Sequence, residues 1–243
     1  MAFHHSPKIV TDGLIVCLDA ANPKSYLGSG TAWNDLAGSN YDATLEAGVT
    51  FQNNNLAFPA ETEFADLDNP FGADNDMKTT PFTFETVVYP TSTGVWQMLA
   101  RVRVLTSSKF GVKFILHTSN RVGVCFHRHD GSTSRSPLLA SSSYPAPVNQ
   151  WSHIAVTYDG SGTPTSSNQK VYFNGALISN ASSAYSLTYM NDADTMRIAG
   201  RARSDQATWF FDGNMGFFRV YDRDLNATEV LQNYNAIKGR FGL

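Results

Sequence analysis

The sequence predicts an all-β protein built as a two-sheet antiparallel sandwich that ends in a short C-terminal helix. Runs rich in β-branched and aromatic residues recur from Leu14 onward, clusters of Gly, Asn, Asp, Ser and Pro separate them, and helical periodicity is nearly absent before the C-terminal region. The 243 residues are 42% hydrophobic and 16% charged, which suffices for one domain with a sizeable core. We therefore expect one sandwich over residues 12–243 after an extension at residues 1–11.

Short apolar runs define the predicted strands. The clearest are Leu14–Asp19, Phe82–Tyr89, Val95–Val104, Lys109–His117, Arg121–His129, Trp151–Asp159, Lys170–Phe173, Met196–Ala199 and Gly216–Tyr221. Alternation in Trp151–Asp159 places Ile154, Val156 and Tyr158 on one face, so we expect a strand covered mainly on one side. The Ser-rich segment 131–149, which contains Pro, is predicted to be an exposed loop.

Turn residues and a helix start signal punctuate these strands. Ser119-Asn120 and Asn174-Gly175 favour tight hairpins, because Asn and Gly tolerate left-handed backbone angles. Asn226 followed by Glu229 forms a capping-box pattern, which predicts a helix from about Ala227 to Lys238. Gly239 is the predicted C-terminal stop of that helix.

Charge and composition exclude several classes of function. The net charge is -3 and the basic residues are scattered, so nucleic acid is not an expected partner. The N-terminus lacks the pattern of a secretory signal peptide, and no apolar run is long enough to span a membrane. We expect a protein made in a cytoplasm, with Cys17 and Cys125 as buried free thiols.

Three blocks of sequence carry a family resemblance. Residues 151–160 (WSHIAVTYDG), followed after a polar loop by residues 170–175 (KVYFNG), resemble the central signature of laminin G-like domains. Residues 81–90 (PFTFETVVYP) resemble an earlier core strand of the family, and residues 211–222 (FDGNMGFFRVYD) its closing strand. The resemblance covers most of the chain and implies a jelly-roll sandwich of the concanavalin A-like lectin/glucanase superfamily.

The two ends of the sandwich resemble a narrower group. Residues 12–26 and 232–242 are similar to a subgroup common among tailed-phage virion proteins. That resemblance implies a non-enzymatic structural protein on the virion surface, as capsid decoration or tail component, assembled in the host cytoplasm. Its expected partners are other virion structural proteins, copies of itself and host-surface glycans. The alternatives are a glycan-binding adhesin, such as a receptor-binding tail fibre protein, and a carbohydrate-active enzyme.

The enzyme alternative is disfavoured by the acidic residues. Glucanases of this superfamily carry a Glu-x-Asp-x-Glu strand, and retaining hydrolysis needs two carboxylates about 5 Å apart. The nearest approach here is Glu61 and Glu63, whose order and spacing depart from that pattern. We therefore predict no catalytic residue and no bound cofactor apart from a calcium ion.

Oxygen-bearing side chains crowd one stretch of the chain. Asp66, Asp68, Asp74 and Asp76 offer the hard ligands that calcium prefers. The spacing matches no calcium-loop template, and Asp is also an ordinary turn residue, so a solvated turn remains the alternative interpretation.

Two further sets of residues are candidates for binding. The candidate glycan-binding residues are Trp96, His127, His129, Tyr144 and Trp209. Exposed aromatic rings can stack on sugar rings, and buried packing is the alternative. The candidate assembly contacts are Phe3, Phe241 and Leu243, because apolar residues at both ends are unusual for an unanchored terminus.

Overall fold

Two antiparallel sheets face each other across an apolar interior, with one helix on the outside. The computed structural model describes residues 7–59, 62–72, 77, 79–103, 110–126, 136–139, 145–162, 167–178, 195–200 and 209–243. The predicted fold class, an all-β antiparallel sandwich of two sheets with a C-terminal helix, is confirmed.

The described elements comprise sixteen strands and one helix. They are β1 Leu14–Asp19, β2 Ala32–Trp33, β3 Ala43–Leu45, β4 Thr50–Gln52, β5 Asn55–Phe58, β6 Ala65–Asp68, β7 Phe82–Pro90, β8 Gln97–Arg103, β9 Phe110–Leu116, β10 Val122–Phe126, β11 Ser136–Leu139, β12 Ser152–Tyr158, β13 Gln169–Phe173, β14 Ala176–Leu177, β15 Thr195–Ile198, β16 Gly213–Tyr221 and α1 Ala227–Phe241.

Each sheet contains eight of the described strands. The first sheet has the order β14-β13-β12-β7-β16-β5-β4, and β1 also pairs with β16, beyond the part that β5 occupies. The second sheet has the order β11-β10-β9-β8-β15-β6-β3-β2. The long strands β7 and β16 pair in the middle of the first sheet, so they position both its inner and its outer face.

Aromatic side chains join the inner faces of the two sheets. Phe82 and Phe84, at alternate positions of β7, stack with ring centroids 4.7 Å apart. Phe84 also stacks on Phe114 of the second sheet at 6.2 Å, so one strand links both layers. Such ring pairs add about 0.5–1.5 kcal/mol to the stabilisation from burial.

The outer face of the first sheet is covered, which corrects one prediction. Every residue of β12 is buried, whereas alternation predicts a strand covered mainly on one side. The cover comes from α1, which packs Val230, Ile237 and Phe241 towards the sheet. The predicted loop at residues 131–149 is also corrected in part, because β11 pairs with β10 inside it.

The C-terminal helix begins as predicted and ends later. The Asn226 side chain accepts hydrogen bonds from the amides of Thr228 and Glu229, and the Glu229 carboxylate accepts from the Asn226 amide. The helix continues through Gly239 to Phe241, and Gly242 forms the left-handed cap. Burial of the Phe241 ring offsets the cost of about 1 kcal/mol of a glycine inside a helix.

Turns and cysteines follow the sequence predictions. Asn120, between β9 and β10, has φ 54°, and Asn174-Gly175 has φ 48° and 77°, the signs that these hairpins need. Cys17 on β1 and Cys125 on β10 are buried thiols that lie in different sheets and form no disulfide bond with each other. Burial raises the pKa of the Cys17 thiol, which keeps it neutral. The one helix of the described residues is too short and too polar to cross a membrane.

Candidate functional site

An open pocket of about 470 Å³ lies where α1 ends against the outer face of the first sheet. We call it the aromatic pocket. It is lined by Tyr89, Pro147, Asn149, Gln150, Trp151, Ser152, Phe173, Asn174, Phe241, Gly242 and Leu243.

Strand register brings the aromatic rings of this pocket together. Tyr89 lies near the end of β7, and Trp151 directly precedes β12, the antiparallel neighbour of β7. Their ring centroids are 5.4 Å apart, and the Trp151 centroid lies 5.0 Å from that of Phe241 on the last turn of α1. Tyr89 and Trp151 are only partly buried, so the pocket presents aromatic surface to solvent.

Amide side chains surround these rings. Asn149 has a left-handed backbone conformation, with φ 60°, and its backbone N–H donates to the Pro90 carbonyl oxygen at 2.8 Å. Asn174 Oδ1 accepts from the His153 amide N–H at 2.9 Å, which fixes the orientation of its side chain. Gln150 is exposed at the rim. An amide both donates and accepts hydrogen bonds, so the rim can satisfy a hydroxyl group in either role.

A pair of tryptophans marks the outer face of the second sheet. Trp96 and Trp209, both predicted to bind glycans, stack with centroids 4.9 Å apart and planes 7° from parallel. We call them the tryptophan pair. His117 contacts the edge of Trp96 at 4.3 Å, and the buried Lys113 Nζ lies 4.7 Å from the Trp209 ring centroid. Burial and then the nearby Arg121 lower the pKa of His117.

A row of charged residues crosses the same outer face beside the tryptophan pair. Register aligns Asp66 with Arg197, Arg197 with Arg101, and Arg101 with Lys113 on four adjacent strands. Asp66 accepts two hydrogen bonds from Arg197, one of them from Nε at 2.6 Å. The Asp66 carboxylate is therefore committed to a bidentate ion pair.

That ion pair bears on the predicted calcium ligands. Asp66 faces Arg197, Asp68 is exposed two positions along β6, and Asp74 and Asp76 lie outside the described residues. The part of the chain that the structure describes contains no group of three or more residues arranged to hold a metal ion. Calcium binding by this stretch stays a prediction.

The other candidate residues are placed as follows. His127, His129, Tyr144 and Phe3 lie outside the described residues. Phe241 packs on Trp151 and Phe217, so it buries its ring within this chain. Leu243 is partly exposed at the rim of the aromatic pocket.

A buried polar network beneath α1 was not predicted from the sequence. Glu85 accepts from Arg219 at 3.3 Å and from the Asn233 side chain at 2.9 Å, and it contacts His153 Nε2 at 2.8 Å. Burial by itself raises the pKa of Glu85, but Arg219 and the His153 hydrogen bond outweigh burial and hold it below its usual value. The signal in the sequence was one charged residue inside each of two apolar strand runs, Glu85 and Arg219. The structure places them directly opposite each other on β7 and β16.

The network also anchors the segment before β1. The Val10 amide N–H donates to Asn233 Oδ1 at 2.7 Å, and the Tyr221 hydroxyl donates to the Val10 carbonyl oxygen at 3.1 Å. Burial and the negative charge of Glu85 raise the pKa of Tyr221, so it stays a neutral donor. The start and end of the described chain thus meet on one sheet face.

Comparison with known proteins identifies the family. Residues 68–231 match the laminin G-like family described as the concanavalin A-like lectin/glucanases superfamily. The match covers more than half of the chain, which therefore belongs to this family. No sequence among the curated proteins matches the chain.

Solved structures share the fold at low sequence identity. A Trypanosoma rangeli sialidase mutant displaying trans-sialidase activity is 15% identical, with a TM-score of 0.64 over 97% of this chain and 34% of that one. The binding domain of Paraclostridial Mosquitocidal Protein 1 is 16% identical, with a TM-score of 0.64 over 93% of this chain and 52% of that one.

A second toxin binding domain is similar in fold to this chain. The binding domain of botulinum neurotoxin serotype D is 12% identical, with a TM-score of 0.63 over 93% of this chain and 52% of that one. This chain therefore spans about a third of the sialidase and about half of each toxin chain. At these identities the similarity shows the fold alone.

Proposed function

We propose that this chain is a non-enzymatic structural protein on the surface of a tailed-phage particle, as capsid decoration or tail component. It acts by binding neighbouring virion proteins, copies of itself and host-surface glycans, and it needs neither nucleic acid nor a membrane. The observation that carries a binding role is the aromatic pocket, where partly exposed rings and amide groups meet at an open rim.

The state of the carboxylates supports a role without catalysis. A general acid at neutral pH needs a raised pKa, as in glycosidases. Glu85 has a lowered pKa, is 1% exposed and is held by Arg219, His153 and Asn233. Asp66 is occupied by Arg197. We expect no release of reducing sugar from a β-glucan panel, and release that Glu63→Gln abolished would contradict this.

The virion role is tested by particle incorporation. The Lys8 carbonyl oxygen accepts a hydrogen bond from the Gln232 side chain, and the Val10 backbone pairs with Asn233 and Tyr221. Deleting residues 2–9 should leave the sandwich folded, by circular dichroism, but reduce incorporation into particles. Equal incorporation of the truncated chain would contradict an assembly role for this segment. Locating the chain in an intact particle by electron microscopy then separates capsid from tail.

The second candidate function is a glycan-binding adhesin. The tryptophan pair favours it, because Trp96 and Trp209 are both partly exposed and a sugar ring can stack on exposed aromatic surface. Similarity to the binding domains of two toxins is in keeping with this role. Glycan-array binding that Trp209→Ala abolishes, together with unchanged particle incorporation of the truncated chain, would make the adhesin the better description.

A further inference from the structure

We propose that the aromatic pocket is a binding site for a neutral saccharide, separate from the tryptophan pair on the opposite face of the sandwich. Tyr89, Trp151 and Phe241 supply its apolar wall, and Asn149, Gln150 and Asn174 supply its polar rim. The glycan-binding residues predicted from the sequence include none of these six.

The aromatic wall suits the apolar face of a sugar ring. The Trp151 ring centroid lies 5.4 Å from that of Tyr89 and 5.0 Å from that of Phe241, with planes tilted by 57° and 54°. The three residues line the same open pocket. A pyranose packs its C–H groups on such a surface and keeps its hydroxyl groups at the edge, where the amides lie.

The charge of the lining selects a neutral ligand. The described residues that line the aromatic pocket include no Asp, Glu, Lys, Arg or His. The polar groups of the lining residues are side-chain amides, the hydroxyls of Ser152 and Tyr89, the indole N–H of Trp151 and backbone groups, which pair with hydroxyls without a change of charge. An anionic sugar would lose hydration there without gaining a counter-charge.

The pocket is formed before any ligand arrives. Asn174 is held through its Oδ1, and its backbone N–H donates to the His153 carbonyl oxygen at 2.8 Å. The α1 terminus is fixed by the cap at Gly242 and by burial of Phe241. Gln150 forms no side-chain hydrogen bond within the described part of the chain, so its amide is available at the rim. A preformed site loses little conformational entropy on binding.

The site extends the recognition role proposed above, and the two can fail separately. Particle incorporation measures protein contacts, whereas saccharide binding by the isolated protein is measured in solution. If the chain binds sugar but does not enter particles, the saccharide site is supported and the virion role is contradicted. If it enters particles but binds no sugar, the virion role is supported and the saccharide site is contradicted.

The test uses the indole N–H resonances of the four tryptophans in heteronuclear NMR spectra. The probes are methyl glycosides of glucose, galactose and N-acetylglucosamine, and lactose, each added to about 50 mM, which saturates a site with a Kd on the order of 1 mM. At least one probe should shift the Trp151 resonance saturably and leave Trp96 and Trp209 unchanged. Sialyllactose is the charged comparison and should bind the pocket no more tightly than lactose.

Two variants separate binding from folding. Gln150→Ala should weaken binding about three- to tenfold through loss of one hydrogen bond, while an exposed glutamine elsewhere, changed in Gln52→Ala, should have no effect. Trp151→Leu removes the Trp151 resonance, so its binding is measured by isothermal titration calorimetry; it should be abolished, with circular dichroism as the check on the fold of the variant.

Three outcomes would overturn the saccharide site. They are no Trp151 shift with any neutral probe, shifts confined to the tryptophan pair, and tighter binding of sialyllactose at Trp151. A fourth outcome is a Trp151→Leu protein that folds and binds every probe as tightly as the original protein, but fails to enter particles. That result would assign the pocket to a protein partner instead.

Discussion

Substituting Glu85 by glutamine should cost about 3–5 kcal/mol of the free energy of unfolding, because it leaves a buried guanidinium without its counter-charge. Glu85 is 1% exposed and Arg219 3% exposed, so solvent screens neither group. Glutamine preserves the volume of the side chain and one acceptor, so the loss measures charge pairing rather than a cavity. Since a domain of this kind is stable by about 5–15 kcal/mol, the effect is a large fraction of the total.

Urea unfolding followed by tryptophan fluorescence measures the change. The control is Arg223→Gln, which removes the ion pairs of Arg223 with Asp12 and Glu229 at a site where the arginine is 26% exposed. A pair at that exposure should be worth at most about 1 kcal/mol. If Glu85→Gln cost no more than this control, the buried network would not stabilise the docked helix as described.

The pH dependence gives a second check on the same residue. The folded-state pKa of Glu85 lies below its ordinary value of 4.5, because Arg219 and His153 outweigh burial. A lowered folded pKa contributes stability that is present above the unfolded pKa and is lost as the pH falls through the folded pKa. The difference between the original protein and Glu85→Gln should therefore be full at pH 7 and shrink below pH 4.5. A difference independent of pH would refute the assignment of charge.

Two further predictions concern the helix and the acidic stretch. Asn226→Ala should lower the free energy of unfolding by about 1 kcal/mol in urea titrations, because it removes the acceptor for two helix amides, and Asn226→Asp should restore most of the loss. Calcium binding by residues 66–76 predicts that millimolar calcium raises the melting temperature, since a ligand that binds only the folded state stabilises it, and an unchanged melting temperature would remove the calcium hypothesis.

Local signals account for what the sequence predicts well. The Asn174-Gly175 turn and the helix start at Asn226 depend on residues a few positions apart, so their geometry can be inferred from the sequence alone. The end of the helix depends on the contact of Phe241 with Trp151, a residue 90 positions earlier in the chain. No local pattern contains that contact, and the helix passes the predicted stop at Gly239.

The binding residues divide in the same way. The sequence predicts Trp96 and Trp209 as candidates because large aromatic residues stand out in any sequence. The structure shows that their rings stack on each other. The sequence predicts Tyr89 and Trp151 only as strand residues, and the pairing of β7 with β12 shows that their rings meet. An aromatic residue at the end of one strand and another at the start of a later one was the available signal.

The outer faces of the two sheets differ in charge, and this difference separates the binding hypotheses. On the first sheet, α1 packs against part of the outer face and borders the aromatic pocket, whose described lining carries no charged side chain. The second sheet carries Arg197, Arg101 and Lys113 in one row beside the tryptophan pair, and Arg101 and Lys113 are each only 1% exposed. Salt screens attraction between charges but not the stacking of a neutral sugar on aromatic rings. Binding of a neutral sugar in the aromatic pocket should therefore stay constant as salt rises, and binding there that weakens with salt would refute the assignment of a neutral ligand to this pocket.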